Sequence, residues 1–213
     1  MDWIALKKEL ASPEVDVDRM AAMVLSDAEV CRQMVEWMRD PAEIMVYYHA
    51  FYALERASQS KPEMLLTYRE SIAGLLDHSN SYHRDFALTL LANLAGADAD
   101  GFTERILPHY IAHLHDRKFM TAHCCLRNLG HIFLQRPDLA ERIGQVLLAF
   151  EQHSPYSSGQ TALMLADVLA IFDQASPAWR ERTEVRSLVL AQRESPSPKT
   201  RKLAREISKR WGI

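Results

Sequence analysis

Five of the nine histidines fall between positions 109 and 131: His109, His113, His115, His123 and His131, with Cys124 and Cys125 among them. His109 and His113 stand at i and i+4. On a helix that spacing puts two imidazoles on one face, where both can reach one metal ion. A zinc site needs three or four ligands converging on one point. The segment reads His109-Tyr110-Ile111-Ala112-His113 and so lacks the glutamate of the catalytic H-E-x-x-H form. On the helical register derived below, His123 and His131 point away from the His109/His113 pair. Cys124 and Cys125 read as small residues at a tight packing position. We therefore expect no metal site and no cofactor.

Other chemistry is equally thin. The chain has no G-x-S-x-G, no phosphate-cradling glycine loop and no paired-carboxylate motif. No catalytic residue is assigned, and the expectation is a protein that is not an enzyme. Gly96-Ala97-Asp98-Ala99-Asp100-Gly101 has the look of a calcium loop. It lacks the third oxygen position and the later glutamate, so it reads as a capped turn in which Asp98 or Asp100 accepts a backbone hydrogen bond.

The elements that must position these residues are helices. In Ser81–Ala95 the apolar set Phe86, Ala87, Leu90, Leu91 and Leu94 follows i, i+3, i+4, i+7 spacing. No segment alternates with period two, so no strand is expected. The segment from Met64 to Ala95 is answered by that from Thr103 to Phe133: helix, tight turn, second helix. The second helices align on the small residues Ala50, Ala87, Cys125, Ala162 and Ala204, with Ala21 in a shorter leading unit. The first helices align on Met38, Leu75 or Leu76, Leu114 and Phe150. Breaks such as Ser12-Pro13, Asp40-Pro41, Lys61-Pro62, Arg136-Pro137, Ser176-Pro177 and Ser197-Pro198 read as capped starts. Such units bury their apolar faces only by stacking on one another. The pattern predicts an all-α chain of about six helix pairs, with residues 1–213 as a single repeat domain.

Composition agrees. Of 213 residues, 48 % are apolar, with only seven glycines, so a sizeable core is expected and disorder is not. The net charge of −3 argues against general nucleic-acid affinity. It is uneven: residues 180–213 hold ten Lys/Arg against four Asp/Glu. Three cysteines, two of them adjacent, fit a reducing compartment, and neither a signal peptide nor a membrane span is expected. The expected location is cytoplasmic.

At these residues the chain resembles HEAT repeats, a family of paired-helix solenoid units. Arg39-Asp40-Pro41 and Leu75-Leu76-Asp77 are similar to its inter-helix turn. Ile106-Leu107-Pro108 is similar to the opening of a first helix, and Asn128-Leu129-Gly130-His131-Ile132 to the end of a second. Arg201 and Arg84 fall on or beside the turn arginine. The resemblance implies a right-handed α-α superhelix of the HEAT or armadillo-like kind, serving as a binding scaffold. A narrower resemblance, over Leu129–Leu139 and Lys199–Gly212, is to HEAT-like bacterial alkylpurine DNA glycosylases. That family's tryptophans and catalytic aspartate are missing at Lys118–His123, where this chain reads Lys-Phe-Met-Thr-Ala-His.

The HEAT register implies a concave face lined by the second helices, with the small residues turned into the stack. Its ladders run Tyr48, Asp85, His123, Gln160, Lys202; then Tyr52, Thr89, Arg127, Met164, Glu206; then Arg56, Asn93, His131, Val168, Arg210. Tyrosine and arginine combine large contact area with directed hydrogen bonds. The candidate partner-binding residues are Tyr48, Tyr52, Arg56, Asp85, Asn93, His123, Arg127 and His131. The expected partner is a protein or peptide. Nucleic acid, reached through the glycosylase resemblance, is the alternative.

Overall fold

The computed structural model describes all residues, Met1–Ile213, and is all-helical. The thirteen α-helices are α1 (Trp3–Leu10), α2 (Val17–Ser26), α3 (Ala28–Arg39), α4 (Ile44–Ser60), α5 (Arg69–Ala73), α6 (Ser81–Leu94), α7 (Phe102–Ala112), α8 (Phe119–Gln135), α9 (Pro137–His153), α10 (Ser158–Gln174), α11 (Pro177–Arg180), α12 (Thr183–Ala191) and α13 (Pro198–Trp211). The chain divides into two compact units, Met1–Leu107 and Pro108–Ile213, the division falling inside α7. Charge divides with them. The first unit carries ten Lys/Arg against eighteen Asp/Glu, a net of −8; the second carries fifteen against ten, a net of +5.

In the first unit α2, α4 and α6 are successive neighbours, with α3 packed on α2 and α4. In the second unit α8, α10 and α13 form the corresponding row, with α9 and α12 behind it. The alignment residues Ala21, Ala50, Ala87, Cys125, Ala162 and Ala204 are all buried. A small side chain at these points lets neighbouring backbones approach, and larger apolar residues at i+3, i+4 and i+7 fill the space around them. Met20 of α2 and Met34 and Met38 of α3 are fully buried core residues.

Local chemistry sets the helix starts. Asp2, Asp16, Asp27, Asn80 and Ser197 each accept a hydrogen bond from a first-turn amide, and Ser157 with Gln160 forms a capping box. Pro137, Pro177 and Pro198 open helices, where a missing N–H costs nothing. Pro13 and Pro41 lie instead in turns ahead of α2 and α4.

Two expectations need correction. Pro108 does not open a first helix; it sits inside α7. The helix begins a turn earlier because the Asp98 carboxylate takes the amides of Phe102 (3.2 Å) and Thr103 (2.7 Å). The first helix read over Met64–Asp77 is broken into 3-10 turns on either side of the five-residue α5. Ser71 bonds back to the Tyr68 carbonyl, competing with helical pairing, and Gly74 is a poor helix former.

The Gly96–Gly101 turn is a cap. Gly101 adopts φ +75°, the left-handed region open to glycine. Burial would raise the Asp98 carboxyl, but hydrogen bonds from Thr103, Asp100 and Phe102 override it and hold it well below the usual carboxylate range. Asp98→Ala is expected to cost about 2 kcal/mol, the upper end for a lost N-cap, because the side chain is only 2 % exposed and also faces Arg69 at 3.7 Å. A urea titration of the variant measures it.

Candidate binding surfaces

In the first unit, α4 and α6 carry an array of rings. Tyr48 stacks on Tyr47 (centroids 5.1 Å) and Tyr52 (6.2 Å), and meets Tyr82 (5.0 Å) and Phe86 (5.6 Å) edge-on. Beneath, Phe51 stacks on Phe86 at 4.1 Å. The outer rings remain in solvent: Tyr52 is 42 % exposed and Tyr82 49 %. Burial, together with the hydrogen bond and charge of Tyr82, raises the Tyr48 phenol well above its ordinary range, so it stays a neutral partner. Tyr52 also walls an open pocket of about 530 Å³ between the start of α2 and the end of α4, shared with Asp16, Asp18, Glu55, Arg56 and Gln59.

In the second unit, α8 and α10 enclose a groove of about 320 Å³. Arg127, His131 and Gln135 of α8 and Asp167 and Gln174 of α10 give its polar lining; Gly130, Leu134, Ala170 and Ile171 give the rest. Gly130 makes the close approach possible, since a Cβ there would stand 2.5 Å from Ile171 Cγ1. His123 pairs with Asp167 through Nε2, and Lys199 of α13 lies 3.6 Å from the other carboxylate oxygen. Burial pushes the Asp167 carboxyl up. The His123 hydrogen bond and the charges of His123, Lys199 and Arg127 outweigh it and hold the group below its ordinary value, ionised at neutral pH.

The eight residues singled out by sequence divide between these surfaces. Tyr48, half-buried, and Tyr52, exposed, belong to the ring array. Arg56 is exposed but ion-paired to Asp18 at 2.8 Å. Asp85 is half-buried on α6. Asn93 donates to the Ser58 hydroxyl at 2.9 Å and so ties α6 to α4. His123 holds Asp167, while Arg127 and His131 are exposed groove residues. His109 is exposed and His113 buried beside Asp116 at 3.3 Å; no group of three or more His, Cys, Asp or Glu side chains converges as a metal site.

Along α10 the ladder shifts. Met164 and Val168, read as groove residues, are fully buried. The helix is apolar nearly all round, so packing rather than polarity fixes its rotation, and Asp167, Ala170 and Gln174 face the groove instead. Asp167 and Tyr82 were both missed by sequence reasoning. Asp167 and Asp173 are the only charged residues of α10, which was the available signal. Tyr82 lies one turn before Asp85 on the same stripe, and extending the ladder backwards would have reached it.

No protein-family model matches the chain, and no curated protein matches it. Among solved structures, it is similar to the crystal structure of an engineered protein, with a TM-score of 0.56 and 13 % identity, over 96 % of this chain and 95 % of that chain. At that identity the likeness speaks for the helical fold alone. No helix of the chain is long and apolar enough to cross a membrane.

Proposed function

We propose that this protein is a non-enzymatic scaffold of HEAT-like helical repeats that binds a protein or peptide segment on its second helices, in the cytoplasm. The supporting observation is the ring array of α4 and α6. Two tyrosines, each a little under half exposed, stand on a base of stacked aromatic side chains. Rigid amphipathic rings lose little side-chain entropy on binding and offer both contact area and a hydroxyl, which is why they dominate interface energetics. In the second unit the α8–α10 groove, with apolar and polar lining as in small binding clefts, offers a binding surface of its own.

A library of short random peptides displayed on phage and panned on the full chain tests this. Selected clones are expected to lose about tenfold or more in affinity with Tyr52→Ala or Tyr82→Ala, both exposed and so tolerant of truncation. Clones that bind both variants as they bind the parent would overturn the assignment.

One observation favours a second reading, nucleic-acid binding by the Pro108–Ile213 unit. Its net charge is +5, and Arg127, His131 and Lys199 surround the groove carboxylate Asp167. Double-stranded DNA titrated at low salt would then bind with steep salt dependence, weakened by Arg127→Ala. No binding at low salt removes this reading.

A further inference from the structure

We infer that the tyrosine face of the first unit is built for a basic segment, a peptide whose arginine or lysine side chain enters the pocket beside Tyr52. This rests on the peptide-binding reading and specifies the chemistry of the partner. Three features of the surface carry it.

First, the pocket sits where aromatic and acidic groups meet. Asp16, Asp18 and Glu55 line it with Tyr52; Asp16 also caps α2 and Asp18 also pairs with Arg56, the single cation, so Glu55 is the carboxylate left without a side-chain partner there. A guanidinium or ammonium entering there finds an aromatic ring and carboxylates together, the combination that holds a cation by quadrupole attraction and charge-assisted hydrogen bonds. The same chain shows the pairing elsewhere: Arg182 lies 3.6 Å over Trp179, and Arg69 4.9 Å over Phe102.

Second, Glu55 is costly as it stands. Its carboxyl is half-buried on α4, and desolvation raises it above its ordinary range with only the neighbouring Arg56 charge to offset this. A ligand cation supplies the missing partner. Third, the field of the whole unit points the same way. The Met1–Leu107 unit has a net charge of −8, which attracts a basic segment and repels an acidic one before contact is made.

Three fluorescein-labelled peptides of matched length test the inference, one alternating arginine with serine and leucine, the others with aspartate or glutamine in place of arginine. Anisotropy is read with the full chain and with its Glu55→Gln and Tyr52→Leu variants. The arginine peptide is expected to bind, to weaken about fivefold or more with either substitution, and to weaken further with salt. The aspartate peptide is expected not to bind. Glu55→Gln is expected to leave the thermal midpoint unchanged or higher, since a neutral amide is cheaper to desolvate; that keeps the loss of affinity distinct from misfolding. Binding of the glutamine peptide as tight as that of the arginine peptide, with the same dependence on Tyr52, overturns the preference for a basic segment and leaves the peptide-binding face standing. Binding of the arginine peptide that ignores both substitutions overturns the placement at this pocket. Absence of binding by all three, together with panned clones indifferent to Tyr52 and Tyr82, overturns the underlying reading as well.

Discussion

Gly144→Ala is expected to destabilise the protein by about 2 kcal/mol, although alanine is the better helix former. Two effects oppose each other. Inside α9 an alanine gains about 1 kcal/mol of helix propensity over glycine. Its Cβ, however, would stand 2.1 Å from Trp179 Cη2, and 2.6 and 2.7 Å from the next two carbons of the same ring. The ring has nowhere to go: it is buried, meets Phe133 at 5.2 Å and Phe172 at 5.9 Å, and carries the Arg182 guanidinium over its face. Overpacking of a tight core costs about 1–3 kcal/mol, and a contact this short lies at or beyond the upper end, so the clash wins. Denaturant unfolding of Gly144→Ala measures it. Combining it with Trp179→Leu, which removes the clashing carbons, should show a coupling of at least about 1 kcal/mol, because the alanine then costs little more. Simple additivity of the two changes would contradict the assignment.

The second large effect is acid sensitivity centred on His83. This side chain is 0 % exposed, stacked on His78 at 4.2 Å and against Tyr47 at 4.8 Å, and neither ring nitrogen has a hydrogen-bond partner. Burial, reinforced by His78 and only partly opposed by Asp40, lowers its pKa from 6.5 to about 4. The unfolded chain therefore takes up the proton first. The contribution of His83 to stability is intact above pH 6.5 and is lost progressively as pH falls towards 4, by about 3 kcal/mol in all. His83→Phe keeps an aromatic ring in the stack and removes two unsatisfied nitrogens. It is expected to flatten the stability profile between pH 6.5 and 4 and to raise stability at neutral pH by about 1 kcal/mol. Urea midpoints across that pH window read both; parallel profiles for parent and variant would exclude His83 as the source. Since Tyr47 links His83 to Tyr48, an acid-induced change here would also disturb the ring array above it.

What the sequence made legible were features with strong local periodicity. The small residues Ala50, Ala87, Cys125, Ala162 and Ala204 mark buried positions on the second helices because nothing larger fits where backbones approach closely. Tyr52, Arg127 and His131 were placed on exposed stripes for the complementary reason. What escaped depended on interactions remote in sequence. The rotation of α10 could not be read because Met164 and Val168 are as apolar as their neighbours, and only packing decides which of them is covered. Pro108 was mistaken for a helix start because Asp98 reaches forward to cap α7 a turn earlier. The uneven charge was legible as a basic end at residues 180–213; what the structure adds is the division at Leu107, which makes the whole second unit the basic one.

If the face carrying Tyr52 and Tyr82 holds a polypeptide, photocrosslinking will capture it there. p-Benzoylphenylalanine is placed in the full chain at position 52, or at exposed position 63 outside this face, and irradiated with a peptide selected by panning. Mass spectrometry is expected to find the peptide joined to position 52 and not to position 63. Equal labelling from both positions, or labelling from 63 alone, would contradict it.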